Sequence, residues 1–376
     1  MREFNKLTIK NLNKSYEDFE VLKDFNLTVE NGEFVTFLGP SGCGKSTALN
    51  CICGLIPITG GEIFADDECI ENGIDISIPP EKRGFGMVFQ NYALFPHLTI
   101  AQNIAFGLQI KKMDKKEIGK RVIQAIALVH LEGQENKYPG QLSGGQQQRV
   151  AIARCAVMEP RLLMLDEPLS NLDAKLRVEM RYELKALHER LQIATIYVTH
   201  DQQEALALSD KIVVMKRGKV QQIGTPQQIF SNPSNLFVAD FMGFKNQWGG
   251  KIEKIVENGD KVDVTVNVNG LTMLSIIANN KEETGRILTL KHAFENSKEI
   301  VTAIRPEDIT SADGPNNCFD CNVRIVEYLG KTSEISGSLQ NGLKVDARPE
   351  HLTSSGESTR LYIPADKLLV FMKEEG

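Results

Sequence analysis

The chain has 376 residues, 41% of them hydrophobic and 24% charged, and a formal net charge of −6. This length allows two or three domains, and the balance is that of a soluble globular protein. The acidic charge argues against nucleic acid, no apolar run approaches the roughly 18 residues of a membrane-spanning helix, and "MREFNKLTIK" lacks the apolar centre of a signal peptide. A cytoplasmic protein is expected, and work at a membrane would need other chains to supply the span.

In chain order, the first 240 residues alternate short β-branched runs with longer amphipathic ones, the pattern of an α/β fold. "EFVTFL" (33–38), "GMVF" (86–89), "LLML" (162–165), "TIYVT" (195–199) and "KIVVM" (211–215) read as strands of a largely parallel sheet, buried on both faces. "AKLRVEMRYELKALHERL" (174–191) reads as a helix with Leu176, Met180, Leu184, Leu187 and Leu191 along one stripe. "DFMGFKNQWGG" reads as a linker, with the boundary set at 241–250. Beyond it, Val262, Val264, Val266 and Val268 alternate with polar residues, and Asn269-Gly270 follows as a hairpin signal. Residues 251–376 therefore read as a small all-β domain, a barrel in form. The seven cysteines form no disulfide framework. Cys318 and Cys321 have metal-knuckle spacing but lack a second Cys or His pair nearby.

Two stretches carry chemistry. "GPSGCGKST" (39–47) follows a strand and precedes a helix, the context in which G-x-x-x-x-G-K-[ST] binds phosphates. Gly39, Gly42 and Gly44 let backbone N–H groups curl around an anion, with Pro40, Ser41, Cys43 and Thr47 completing the loop. The helix start adds partial positive charge. Lys45 reaches the β- and γ-phosphates and the Ser46 hydroxyl can ligate Mg²⁺. "RLLMLDEP" (161–168) ends a buried strand in two acids. Asp166 is suited to hold Mg²⁺ and Glu167 to act as general base toward water.

In order and spacing these motifs resemble the ATP-binding cassette (ABC) ATPases. The resemblance makes "MVFQ" the source of the Q-loop glutamine Gln90, "LSGGQQQR" (142–149) the signature, "SNLD" (170–173) the D-loop and "YVTHD" (197–201) the segment of the switch histidine His200. Tyr16 would stack on adenine, and Asp173 serves the D-loop or simply caps the next helix. Gln90 and His200 sense γ-phosphate and Mg²⁺. Ser143, Gly144, Gly145 and Gln146 would face the γ-phosphate held by a second cassette. The cofactors implied are ATP and Mg²⁺.

Within the family the chain is most similar to ATPase subunits of bacterial solute importers with a C-terminal OB-like regulatory domain. That implies an ABC domain over 1–240 with a helical subdomain at about 92–157, where Ala93, Leu94 and Phe95 would meet the membrane subunit. It also implies a homodimer, two transmembrane permease subunits, an extracytoplasmic solute-binding protein, and a place on the cytoplasmic face of the membrane. "FMGFKN" departs from the form of the sugar branch and leans toward polyamine, ferric iron or phosphonate. Sugar or glycerol phosphate is the alternative. A soluble cassette acting on DNA or ribosomes is the remote one, since neither an inserted coiled coil nor a second cassette is present.

Overall fold

The computed structural model describes residues 4–311, 313–330, 332–349 and 354–373. The chain forms two compact units, one ending at Asn232 and the other starting at Pro233. In the first unit the strands are β1 (Lys6–Tyr16), β2 (Phe19–Glu30), β3 (Phe34–Leu38), β4 (Gly60–Ala65), β5 (Glu68–Glu71), β6 (Phe85–Val88), β7 (Leu162–Asp166), β8 (Ala194–Thr199), β9 (Lys211–Lys216) and β10 (Lys219–Gly224). Its helices are α1 (Lys45–Cys53), α2 (Pro80–Arg83), α3 (Ile100–Ile110), α4 (Lys115–Leu128), α5 (Gly144–Ala156), α6 (Ala174–Leu191), α7 (Gln202–Leu208) and α8 (Pro226–Ser231).

The main sheet runs β10-β9-β3-β8-β7-β6, parallel except for the antiparallel edge strand β10. Its continuous apolar strands are explained by cover on both faces. Val35 and Phe37, Leu162 and Met164, and Ile196 and Val198 enter one core with α1 and a second sheet. Phe34, Leu163, Leu165 and Tyr197 enter the other core, with Ile152 of α5 and Leu184 of α6. The second sheet, β2-β1-β4-β5, is antiparallel. The sequence reading did not anticipate it, because β1 and β2 mix Lys, Asn and Asp with their buried Leu7, Ile9, Leu12, Leu22 and Phe25. On α6, Met180 and Leu184 are buried as expected; Leu176, Leu187 and Leu191 are half-buried, and His188 completes the inner face.

Helices α3, α4 and α5 close over a core of their own, built from Ile104, Leu108, Val122, Ile126, Leu131, Val150 and Val157. Thr99 caps α3 and Asp114 caps α4, so both starts are fixed by side chains.

The second unit opens with α9 (Leu236–Phe241) and continues through β11 (Asn246–Asn258), β12 (Lys261–Val268), β13 (Leu271–Ala278), α10 (Thr284–Glu295), β14 (Ile300–Ile304), β15 (Cys318–Tyr328), β16 (Ser333–Leu339), β17 (Lys344–Ala347), β18 (Ser358–Tyr362) and β19 (Leu369–Met372). Two antiparallel sheets, β13-β12-β11-β14-β19 and β17-β16-β15-β18, share one core. The valines of β12 point into it, and Asn269-Gly270 makes a two-residue turn with φ of 49° and 85° at its two positions.

One expectation is corrected here. Residues 241–250 are not a free linker: α9 ends at Phe241, and Asn246–Gly250 already belong to β11, paired with β14. Trp248 is buried and donates to Lys344 O at 2.8 Å, so burial of the ring selects strand over linker. The β-rich unit also carries the helix α10, whose Ile287, Leu290 and Ala293 pack into the same core. Cys318 and Cys321 lie three apart on β15, hence on opposite faces. Cys321 is fully buried in the core while Cys318 bonds Gly314, an arrangement that does not converge on one ion.

Candidate functional site

The loop after β3 is shaped by its glycines. A Cβ on Gly39 would stand 2.4 Å from Met215 O, while Gly42 and Gly44 hold φ of 78° and 105°, open to glycine without strain. Gly218 N–H donates to Cys43 O at 2.9 Å and fastens the loop to the β9–β10 turn. The helix α1 begins at Lys45, with its unpaired N–H groups and positive end at the loop mouth. Lys45 is buried, and its ammonium donates to Gly39 O at 2.8 Å and Pro40 O at 3.1 Å, so it lies across the loop. Pro40, Ser41 and Gly42 are exposed at the rim; Thr47 is half-buried and Cys43 fully so. Burial pushes the Cys43 thiol pKa up, against the pull of Lys45.

The second motif meets the first at one hydrogen bond. Ser46 Oγ donates to Asp166 Oδ1 at 2.9 Å across 120 residues of sequence. Burial, helped by the charge of Glu167, holds the Asp166 carboxyl above its ordinary range; the Ser46 bond and Lys45 oppose that. A hydroxyl and a carboxylate in hydrogen-bond contact at the foot of a phosphate loop are hard oxygen donors of the kind Mg²⁺ takes, so the residues fit that ion. Glu167 stands at φ 43°, a backbone region costly for a side-chain-bearing residue, of order 1–3 kcal/mol. Its N–H donates to Val198 O at 3.0 Å, and its carbonyl accepts from Ser170 Oγ at 2.8 Å. His200 Nδ1 lies 3.3 Å from Glu167 Oε2, with the imidazole more than half exposed. The carboxylate therefore has a fixed backbone and an accessible nitrogen beside it.

Gln90 follows β6 and is exposed. Its Nε2 donates to Ser170 Oγ at 3.3 Å, and its carbonyl accepts from Asn171 Nδ2 at 3.0 Å. The main-chain segment after the first acid motif is thus tied to the Gln90 loop. Asp173 caps α6 by accepting from Leu176 N–H at 3.0 Å. Tyr16 ends β1 with its ring 47% exposed and the Lys14 ammonium 4.7 Å from the ring centroid. Leu94 and Phe95 are half-buried and Ala93 is exposed, with Phe95 on Phe106 at 4.5 Å between ring centroids.

The stretch "LSGGQQQR" is the start of α5. Ser143 is its N-cap, accepting from Gln146 N–H, while Gln146 Oε1 accepts from Ser143 N–H at 3.0 Å. The remaining end of the Gln146 amide donates to Gln134 at 3.4 Å. A Cβ on Gly144 would meet Leu172 Cδ2 at 2.9 Å, and one on Gly145 would meet Met180 Sδ at 3.1 Å. No hydrogen bond or ion pair among the described residues joins Ser143–Gly145 to Lys45, Ser46, Asp166, Glu167 or His200. The sequence-predicted residues therefore form two groups in this chain, one around the loop and the two acids, the other at the α5 start.

Several supporting residues escaped the sequence reading. Glu204, buried, accepts from Tyr197 OH at 2.8 Å and Thr199 Oγ1 at 2.6 Å, and burial raises its pKa. Arg177 donates to Leu172 O at 3.0 Å and stands 3.8 Å from Asp201 and 3.9 Å from Glu204, joining the two loops that flank Glu167. Tyr92 is buried at φ 61° with its hydroxyl on Pro168 O at 3.2 Å. Only Glu204 had a local signal, an acid placed one turn after an Asp N-cap.

Comparison with known proteins identifies the family of the chain. A family model described as "ABC transporter" matches residues 22–170, and a "TOBE domain" model matches 302–371. The chain is 44% identical over 342 residues to a spermidine/putrescine import ATP-binding protein of Haemophilus ducreyi, covering 90% of this chain and 87% of the relative. It is 41% identical to an uncharacterized ABC transporter ATP-binding protein of Bacillus subtilis, covering 98% of each. The fold is similar to a dimeric ATP-binding cassette solved in a post-hydrolysis state with ADP and Pi, with TM-score 0.52 and 35% identity, covering 58% of this chain and 98% of that one.

Proposed function

The chain belongs to the ABC transporter ATPases, as the ATP-binding subunit of an importer, and on that premise we propose that it powers polyamine uptake as a homodimer with two composite ATP sites. The polyamine reading is carried by the likeness, over 90% of this chain, to a spermidine/putrescine import ATP-binding protein. Loss of radiolabelled spermidine uptake on deleting this gene, restored by the intact chain and not by Glu167→Gln, is the expected result. Unchanged polyamine uptake with loss of sugar, glycerol phosphate, ferric iron or phosphonate uptake would reassign the solute. Co-purification should recover two permease subunits, which hold the chain at the cytoplasmic face of the membrane, and no nucleic acid.

The mechanism follows from the residues. Backbone N–H groups of Ser41–Ser46 and the Lys45 ammonium bind the ATP phosphates, and Tyr16 lies against the adenine. Ser46, Asp166 and Gln90 would hold Mg²⁺, which when bound would neutralise charge on the ATP phosphates. Glu167 accepts the proton of the attacking water. His200, 3.3 Å from that carboxylate, orients the γ-phosphate and keeps the base in place. Ser143 and the Gly144 and Gly145 N–H groups, on the α5 start of a second copy, close on the same γ-phosphate. Gln146 contributes through the cap it makes with Ser143, and Asp173 by fixing the start of α6 beside the closing surface.

A further inference from the structure

The last turn of α5 touches the chain on both sides of Gln90. Before it, Cys155 Sγ donates to Met87 O at 3.2 Å. After it, Arg154 Nη1 donates to Ala93 O at 2.7 Å and Nη2 to Tyr92 O at 3.0 Å. Tyr92 and Ala93 both stand in the left-handed region, at φ 61° and 46°, where a side chain crowds its own backbone. Consecutive left-handed residues turn their carbonyls to one side, and the planar fork of a guanidinium matches such a pair. The cation is half-buried, lies 5.5 Å from the Phe95 ring centroid, and among the described residues forms no ion pair with a carboxylate; burial lowers its pKa. A desolvated cation satisfied by two carbonyls and a ring marks a specific bond, not a solvated surface charge. On the opposite side, the Tyr92 hydroxyl is anchored to Pro168 O, next to Glu167.

We propose that Arg154 is a positioning residue for hydrolysis: it braces Tyr92–Ala93 in their left-handed backbone and so sets the place of Gln90. The brace sits on the helix whose start carries Ser143, about 17 Å away at 1.5 Å per residue. One rigid element thus links the surface offered to a second copy with the glutamine of its own site, and a shift of α5 on closure moves Gln90. This rests on reading Gln90 as the γ-phosphate sensor.

The test is steady-state ATP hydrolysis by the full chain, with thermal melts of each variant. Gln90→Ala probes the sensor reading alone, with kcat expected to fall about tenfold. Arg154→Ala should also lower kcat about tenfold while KM for ATP stays within about twofold. Ala93→Gly alone sets the reference for the double variant. Combined with Arg154→Ala it should restore kcat at least about threefold, because glycine holds a left-handed φ without a brace. Arg154→Lys, which keeps the charge but loses the fork, should fall between. If Arg154→Ala does not fold, Arg154→Lys with and without Ala93→Gly gives the same comparison. A wild-type kcat for Arg154→Ala beside an impaired Gln90→Ala overturns the proposal, as does an equal loss with and without Ala93→Gly. A wild-type Gln90→Ala overturns the sensor reading, and the proposal with it.

Discussion

Two glycine-rich helix starts in this cassette, Gly39–Lys45 before α1 and Ser143–Gln146 at α5, carry the unpaired N–H groups of a helix N-terminus, yet use glycine for different reasons. The first needs it for its own fold. A methyl group at Gly39 would strike a backbone carbonyl in β9, which cannot move aside, and Gly42 and Gly44 are left-handed. The second makes a milder demand. Methyl groups at Gly144 and Gly145 would meet only side-chain ends, those of Leu172, Met180 and Leu176, and neither glycine has a left-handed φ. Loss of hydrolysis from alanine at 144 or 145 without loss of stability would therefore point to something outside the chain that approaches the backbone closely.

The comparison can be broken at four points. The largest effect is expected for Glu167→Gln, which should lower kcat by about 10²–10⁴-fold and trap an ATP-bound dimer on size exclusion. A persistent monomer at high protein and ATP concentration would remove the α5 start from the site altogether. Next, Ser143→Arg should leave ATP affinity within about twofold yet reduce hydrolysis at least about tenfold, because it acts on the facing copy. Equal losses of binding and hydrolysis would merge the two starts into one. Third, Gly39→Ala should destabilise the chain by about 1–3 kcal/mol and abolish nucleotide binding, read by thermal melts and ATP titration. Gly144→Ala should cost less than about 1 kcal/mol, because Leu172 can swing aside.

The smallest effect separates the two by pH. Asp166 has its pKa raised by burial, so it takes up a proton at higher pH than an ordinary aspartate as acidity increases. Of its two forms, only the ionised one would ligate Mg²⁺. The Mg²⁺ requirement for hydrolysis should therefore rise as pH falls toward the raised pKa, measured as apparent Mg²⁺ affinity at pH 5.5 and 7.5 (about severalfold). Residues 143–148 hold no titratable side chain, so ATP-driven dimer formation at saturating Mg²⁺ should change far less.

What was legible in the sequence was what the chain states locally. The phosphate loop is one contiguous motif, the β12 valines announce their own face, and Asn269-Gly270 specifies its turn within two residues. What was not legible depends on partners far along the chain. Arg154 looks like one more polar residue of an amphipathic helix until Tyr92 and Ala93, 62 and 61 residues earlier, turn their carbonyls to it. Glu204 and Arg177 gain meaning only when β8 and α6 converge. The antiparallel sheet was missed because β1 and β2 are irregularly paired, with bulges between Ile9 and Ser15 that break the period-two signal. The helix α10 was missed because its three core contacts fall within a short run flanked by strong strand patterns on both sides.

Segment 233–245 also says where this polypeptide can be divided. Arg286 donates to the carbonyl of Pro233, Arg305 donates to Met242 O at 3.0 Å and lies over the ring of Phe244, and Ala239 and Phe244 pack with Ala303 and Phe371. A cut near residue 245, where composition changes, would leave the half-buried Arg286, the buried Arg305 and an apolar seam in the β-rich half without cover. A cut between Asn232 and Pro233 keeps every one of these bonds on one side. As a unit of exchange between proteins, the β-rich half thus begins at Pro233 and carries its leading helix with it.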